Sequence, residues 1–310
     1  MTELIPVAAC VLIAFGIGSN DTSNALGICI GCGVIKLRRA VFIFGCFVLI
    51  GILIQGQKVM DTVGKDIVAV NLSILSISLS VAALLIIVSN WKKLPLSTHQ
   101  VIIGSLTGSA VASGAQVNFT AMIEIVVSWI ISPLVAFFTA LLLYKGMEKT
   151  ISRLSLFRIE RILRILLLGS GMLIAYNTGA NELATILGPV IHAGVIEQIR
   201  ASLVGSLFVF LGAVLLSRRV IETIGKGITT LDPYSGFAAQ FGAGTCVLFF
   251  TFLGMPVSTT YCIIGAIGGV GMSKGMETVK FALIRKIMTN WVIAPSLAFL
   301  GSFLIMRAVL

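Results

Sequence analysis

Two acids interrupt apolar sequence with no basic residue nearby: Asp21 in "GSNDTSNALG" (18–27) and Glu182 in "GANELATILG" (179–188). A carboxylate near the centre of a bilayer costs about 2.5–3.5 kcal/mol on insertion scales, so it persists only with a partner or a role. The flanking residues suggest the role. Glycine lets a helix unwind, and freed backbone carbonyls could join the carboxylates, Asn20 and Asn24 as an all-oxygen cage for a small hard cation. The expected cation ligands are Gly18, Asp21, Asn24, Gly179, Glu182 and Thr185. A proton held by the carboxyls could serve instead.

A second pair of motifs offers the opposite chemistry. "PLSTH" at 95–99 and "PVSTT" at 256–260 each place a proline just ahead of Ser and Thr. Proline suits the first turn of a helix, and the hydroxyls would lie beside free backbone N–H groups at the positive end of the helix dipole. That arrangement binds an anion. The candidate substrate residues are Asn20, Asp21, Ser97, Thr98, Asn181, Glu182, Ser258, Thr259 and Thr260. Ser and Thr alone commonly just pack or back-bond in membrane helices, so the weight rests on recurrence with Pro in front. His99 has Thr260 as its counterpart, and its spacing fits a structural or a substrate-handling role equally. His192 reads as a loop or interface residue, while Glu124 and Asp232, near segment ends, could assist the site.

These motifs belong to one internal repeat. A shift of 161 residues carries Gly18, Asn20, Leu26 and Gly27 onto Gly179, Asn181, Leu187 and Gly188, with Asp21 on Glu182 and Asn24 on Thr185. It also carries Pro95, Ser97, Thr98, Gly104 and Gly108 onto Pro256, Ser258, Thr259, Gly265 and Gly269, and Thr62, Gly64 and Lys65 onto Thr223, Gly225 and Lys226. One residue of slip brings Trp129 and Pro133 onto Trp291 and Pro295. Chance does not readily hold one offset across separated motifs.

The elements that position these residues are membrane helices. The 310 residues are 57% hydrophobic and 11% charged, with a mean hydropathy of +1.08, and long apolar runs favour an all-α polytopic membrane protein over a barrel. The runs fall at 2–33, 39–57, 66–90, 95–116, 120–144, 165–193, 201–217, 228–253, 256–272 and 287–309. An acid precedes the first run and no cleavage site follows it, so it reads as a retained helix rather than a signal peptide. The net charge of +10 is sorted by loop rather than gathered with aromatics, which argues against nucleic acid as a partner. Placing Lys36, Arg38 and Arg39 in the cytoplasm brings Lys92, Lys93, the cations of 145–164, Arg218, Arg219, Lys226, Lys274, Lys280, Arg285 and Lys286 there too, with both termini outside. If each half crosses an odd number of times, the halves run in opposite directions, as inverted-topology repeats with broken helices and Pro-Ser-Thr segments that are re-entrant or broken. The expected units are 1–144, an amphipathic cytoplasmic linker at 145–164, and 165–310. GxxxG pairs at Gly27/Gly31, Gly104/Gly108 and Gly265/Gly269 read as close packing that lets the motif helices approach each other. The Cys29–Cys32 spacing reads as small packing residues rather than a metal or redox pair.

With both motifs in both halves, the chain resembles the inorganic phosphate transporter (PiT) family, whose members carry two "GANDVANA"-like and two "P-[VI]-S-T-T"-like signatures. The resemblance spans nearly the whole chain. It implies an integral plasma-membrane symporter moving inorganic phosphate with sodium or protons, without a cofactor and not an enzyme. It implicates Asn20, Asp21, Asn24, Asn181 and Glu182, and Ser97, Thr98, Ser258, Thr259 and Thr260. The chain departs from the pattern where Glu182 replaces Asp, Thr185 replaces Asn, and His99 replaces Thr.

Three rival readings suit the sequence less well. Another tetrahedral oxyanion, chiefly sulfate, fits the same hydroxyls, but protonated phosphate can donate to a carboxylate and sulfate cannot, which favours phosphate. A channel needs a continuous polar path, whereas polarity here is concentrated in two belts. An intramembrane enzyme lacks any HExxH or GxSxG pattern. Apolar outer faces in contact with the lipid bilayer would also permit a homodimer.

Overall fold

The computed structural model describes residues 3–91, 96–151, 156–228, 232–274 and 281–310. Pro95, Lys92, Lys93, Arg153 and Lys280 therefore lie outside the described residues, as do the side chains of Arg218, Arg219, Thr223, Lys226, Arg285 and Lys286.

The described residues form helices α1 (Leu4–Gly31), α2 (Leu37–Gln55), α3 (Gln57–Asp61), α4 (Leu72–Trp91), α5 (Thr98–Ser113), α6 (Phe119–Ile151), α7 (Leu156–Asn177), α8 (Ala184–His192), α9 (Gln198–Ile228), α10 (Pro233–Phe252), α11 (Thr259–Lys274) and α12 (Phe281–Val309). A π turn, Thr62–Asp66, follows α3, and another, Thr178–Leu183, joins α7 to α8. Among the described residues, seven helices are long and apolar enough to cross a membrane: α1, α2, α4, α6, α9, α10 and α12. The protein is an all-α integral membrane protein built from two repeats.

The sequence offset reappears in the element ends. Helices α4 and α10, and α5 and α11, start and stop 161 residues apart, and α6 and α12 start 162 apart. Their caps match as well. Asn71 Oδ1 accepts the Ile74 N–H at the start of α4, and its mate Asp232 accepts the Tyr234 and Ser235 N–H groups at the start of α10. A side-chain oxygen there satisfies donors that have no partner inside the helix. Gly33 and Gly194, again mates, take φ of +68° and +71° at equivalent turns, where a Cβ would be strained.

The repeats are interleaved. α5 packs chiefly on α12 and α4, and α11 on α6 and α10, so the last helix of each half seats the motif helix of the other. The GxxxG pairs make this seat. A Cβ on Gly104 or Gly108 would fall 2.5 Å from Pro295 O or 2.2 Å from Phe299 O, and on Gly265 or Gly269 2.2 Å from Pro133 O or 2.1 Å from Phe137 O. These glycines thus serve the partner repeat's final helix rather than a contact between α5 and α11. Gly31 has nothing within 4 Å and Gly27 only Ser23 at 3.9 Å, so that GxxxG is not a packing motif.

Gly18 does not unwind its helix as the sequence suggested. It lies within an unbroken α1, and a Cβ there would sit 1.8 Å from Val209 O. Its mate Gly179 stands in the same relation to Val48 O, at 1.9 Å. Both glycines bring two helix backbones together, α1 onto α9 and the π turn onto α2. The helix distortion expected at both signatures occurs in the second only, as the turn Thr178–Leu183. In the 145–164 stretch, the described residues continue α6 to Ile151 and open α7 from Leu156.

Candidate functional site

Helices α5 and α11 have 16 residues each, about 24 Å, which is short of the roughly 30 Å of hydrocarbon. Each is preceded by extended chain: Ser97 has φ −88° and ψ 121°, and 255–258 are non-helical. Their first turns meet. Gln100 Oε1 accepts the Tyr261 hydroxyl at 3.3 Å, both residues being buried. These two positions are repeat mates, so their contact marks the pseudo-twofold axis. Pro256 is not in the first turn as expected. It stands three residues before Thr259, and its carbonyl accepts the Trp129 Nε1–H at 2.8 Å, which fixes the lead-in to α11.

Ser97 Oγ and Thr259 Oγ1 are buried and have no hydrogen-bond partner. Backbone N–H groups of a helix's first turn also lack intrahelical acceptors. Two helix starts with idle hydroxyls, brought together at the axis, present donors of a kind that suits an oxyanion. Ser258 is buried beside them, its Oγ at 3.5 Å from the Tyr261 N–H, and Thr98 is half-buried.

The acids lie alongside. Asp21 and Glu182 are both 5% exposed, and their carboxyls lie close enough for their charges to interact. Asp21 Oδ1 accepts from Asn24 Nδ2 at 3.1 Å, while Oδ2 is buried without a donor. Two facing carboxylates repel unless a proton or cation lies between them, and an orphaned carboxylate oxygen is a suitable ligand. Asn24 Nδ2 also reaches Thr260 Oγ1 at 3.2 Å, linking the acid pair to the start of α11. Among the backbone candidates, the Gly18 carbonyl remains inside a regular helix and receives the Thr22 hydroxyl at 2.7 Å. Thr185 donates to Asn181 O at 2.8 Å and keeps its oxygen lone pairs. No cluster of three or more His, Cys, Asp or Glu of the kind that holds a transition metal occurs among the described residues.

The asparagines are structural hubs. Asn181 Nδ2 donates to Thr251 Oγ1 at 2.8 Å and Met255 O at 3.0 Å. Its Oδ1 accepts from Val257 N at 3.1 Å and meets His99 Nε2 at 2.9 Å. Its amide is therefore fully occupied by protein. Asn20 Nδ2 donates to Asn90 Oδ1 at 2.6 Å, and Asn90 and Thr251 are again mates. Gln240 Nε2 ties Ala25 O to α10 at 2.9 Å.

The structure thus gathers Asp21, Asn24, Ser97, His99, Asn181, Glu182, Ser258, Thr259 and Thr260 around one region. Asn90, Gln100, Gln240, Thr251 and Tyr261 join them without having been singled out in the sequence, and so does Trp129, which the repeat marked only as the mate of Trp291. Applying the repeat offset to every polar residue in the apolar runs would have flagged Asn90 with Thr251 and Gln100 with Tyr261. Glu124 is exposed and apart. Asp232 caps α10 and pairs with Lys274, and His192 bonds Asp61 at 3.0 Å between α8 and α3.

The sequence profile of the phosphate transporter family matches the chain twice, over residues 17–158 and 155–302. "Putative phosphate permease MJ0630" of Methanocaldococcus jannaschii is 36% identical over 297 residues, covering 96% of this chain and 94% of that protein. "Sulfate permease CysP" of Bacillus subtilis is 32% identical over 317 residues, covering 98% of this chain and 87% of that protein. Among solved structures, "The sodium-dependent phosphate transporter" superposes with a TM-score of 0.89 over 99% of this chain and 98% of that one, at 22% identity. That last likeness concerns the fold.

Proposed function

Since the chain belongs to the phosphate transporter family, we propose that it is a secondary active transporter of inorganic phosphate, coupled to sodium in preference to protons and working by alternating access. It is a transporter and not an enzyme. The observation that carries the finer reading is the pairing of two idle hydroxyls, Ser97 Oγ and Thr259 Oγ1, with an acid pair whose Asp21 Oδ2 has no donor. The first invites an anion and the second a cation.

In this scheme Asp21, Asn24 and Glu182 hold the coupling ion, with Thr185 at the edge. Binding it removes the repulsion between the carboxylates and the negative field that would oppose an anion, so the cation enters first. Phosphate then binds between the starts of α5 and α11, and the loaded halves rock about the midplane. The units 1–144 and 165–310 act as the halves and 145–164 connects them on the cytoplasmic side. The site lies in the plasma membrane with both termini outside, and the apolar outer faces would accommodate a homodimer.

Uptake of labelled phosphate into proteoliposomes under separate sodium and pH gradients tests this. The expected result is sodium-driven uptake that Asp21→Asn abolishes. Uptake in that variant with unaltered sodium dependence would remove the carboxylate from the scheme. Sulfate is the second reading, favoured by the 32% identity to a sulfate permease, and labelled sulfate in the same vesicles decides between them.

A further inference from the structure

An inverted repeat constrains which contacts belong to which access state. Exchanging the conformations of the two halves converts one state into the other, because the pseudo-twofold maps the outward arrangement onto the inward one. A contact between repeat mates maps onto itself and is available in both states. Gln100 with Tyr261 is such a contact, on the axis. A contact between residues that are not mates maps onto a different pair and marks one state.

The bond between His99 and Asn181 is of the second kind. Its image is Thr260 with Asn20. Only the first is made: His99 Nε2 lies 2.9 Å from Asn181 Oδ1, whereas Thr260 Oγ1 receives Asn24 Nδ2 and Asn20 turns to Asn90. The direction of the His99 bond is also settled. Thr251 spends its hydroxyl proton on Val247 O at 2.7 Å, so it accepts from Asn181 Nδ2, and the Val257 N–H fixes Asn181 Oδ1 as the acceptor. His99 must then donate from Nε2.

We propose that His99 is a positioning residue that biases the transporter toward one of its two access states by donating from Nε2 to Asn181, a bond its mate Thr260 is too short to mirror. The imidazole Nε2 lies three bonds beyond Cβ, whereas a threonine hydroxyl lies one. The clasp joins α5 of the first repeat to the π turn of the second and, through Asn181, to the lead-in of α11 at Met255 and Val257. It therefore spans the contacts that must rearrange when the halves rock. Its mirror image offers no equal bond, so this contact contributes an energy difference between the two states.

This inference rests on the transport reading for one of its two assays and stands apart from it in the other. In proteoliposomes of known orientation, the ratio of phosphate half-saturation measured from the two faces reports the access equilibrium. His99→Thr, which restores the mate residue, should move that ratio toward one by about fivefold, the worth of a buried hydrogen bond. His99→Gln, which keeps an N–H donor, should retain much of the wild-type ratio. Hydrogen exchange of segment 255–258 in nanodiscs, without phosphate, should speed by a similar factor in His99→Thr and not in His99→Gln. If His99→Thr does not fold, Thr260→His should move the ratio the same way by strengthening the opposite side. An unchanged ratio and unchanged exchange in His99→Thr, or equal effects of Thr and Gln, would overturn the proposal. Absence of phosphate uptake by the wild type, with the exchange difference intact, would count against the phosphate reading alone.

Discussion

Replacing Gly18 by Ala tests whether the signature glycines unwind helices or join them. The added Cβ would fall 1.8 Å from the Val209 carbonyl oxygen and 2.9 Å from Ala213 N, where ordinary contact begins near 3.4 Å. The obstacle is backbone, so no side chain can rotate away, and α1 must move off α9 by about 1.5 Å. Overpacking typically costs about 1–3 kcal/mol, and a backbone-on-backbone clash belongs at the upper end. With unfolding entropies near 2.1 cal/mol/K per residue, about 3 kcal/mol lowers the melting temperature by roughly 5 °C. Gly179→Ala should match it, because its Cβ meets Val48 O at 1.9 Å and Ile52 N at 3.0 Å. Gly169→Ala is the control. Gly169 is exposed within α7 with nothing within 4 Å, so alanine should stabilise by about 0.5–1 kcal/mol through reduced chain entropy. Thermal unfolding of the three variants in one detergent is the assay. Gly18→Ala melting at or above wild type would refute the packing account and revive unwinding, and a gap above about 1 kcal/mol between Gly18→Ala and Gly179→Ala would refute the symmetry.

Trp129→Phe keeps the ring but leaves the buried Pro256 carbonyl without its 2.8 Å donor. The expected outcome is a loss of about 1–3 kcal/mol in thermal unfolding and a raised half-saturation for phosphate, since the start of α11 is released; unchanged values of both would detach Trp129 from the site. Asp232→Ala should destabilise by about 1 kcal/mol through loss of the α10 cap. Its pH dependence has a definite sign. Partial burial pushes the Asp232 carboxyl upward, but hydrogen bonds from Lys274 and Ser235 outweigh it and hold the group below the usual carboxylate range. A depressed folded value means the stabilisation is fully present above the unfolded pKa, near 3.9, and is lost as pH falls through the folded value. The difference in melting temperature between wild type and Asp232→Ala should therefore be flat from pH 7 to about 5 and close below about pH 4. A gap that widens on acidification would contradict this.

Much of the frame was readable from residue types because the repeat multiplies weak signals. One proline, one glycine pair or one Ser-Thr step says little, but a shared offset of 161 located the equivalent elements that the structure then shows. What the residues could not disclose is what each glycine faces. A glycine both permits unwinding and permits contact, and only the position of the opposite carbonyl distinguishes them, as Val209 does for Gly18. The same limit applies to Asp232, whose acid type and place near a segment end suit a site as well as a cap. The hubs were missed for a different reason. Asn90 and Thr251 sit at the ends of strongly apolar helices, where a single polar residue carries no local pattern, and their role appears only when Asn20 and Asn181 arrive from 70 residues away.

The two halves are alike and unlike in different places, and the division has an energetic consequence. Backbone-packing positions are kept: Gly18 and Gly179, Gly51 and Gly212, Gly104 and Gly265, and Gly108 and Gly269 each meet a carbonyl of equivalent residues in the opposite half. Polar positions around the site are kept only in part: Asn20 and Asn181, Ser97 and Ser258, and Thr98 and Thr259 match, but Asp21 faces Glu182, Asn24 corresponds to Thr185, His99 to Thr260 and Gln100 to Tyr261. These paired glycine contacts contribute equally to two states that exchange the roles of the halves, so they favour neither one. The unlike polar residues do contribute to the difference in free energy, and these are also the groups that would touch a bound ion. In the proposed scheme, changing ligand contacts and changing the balance of states are coupled: a ligand that engaged Glu182 or displaced Asn181 from His99 would alter that bond as it binds.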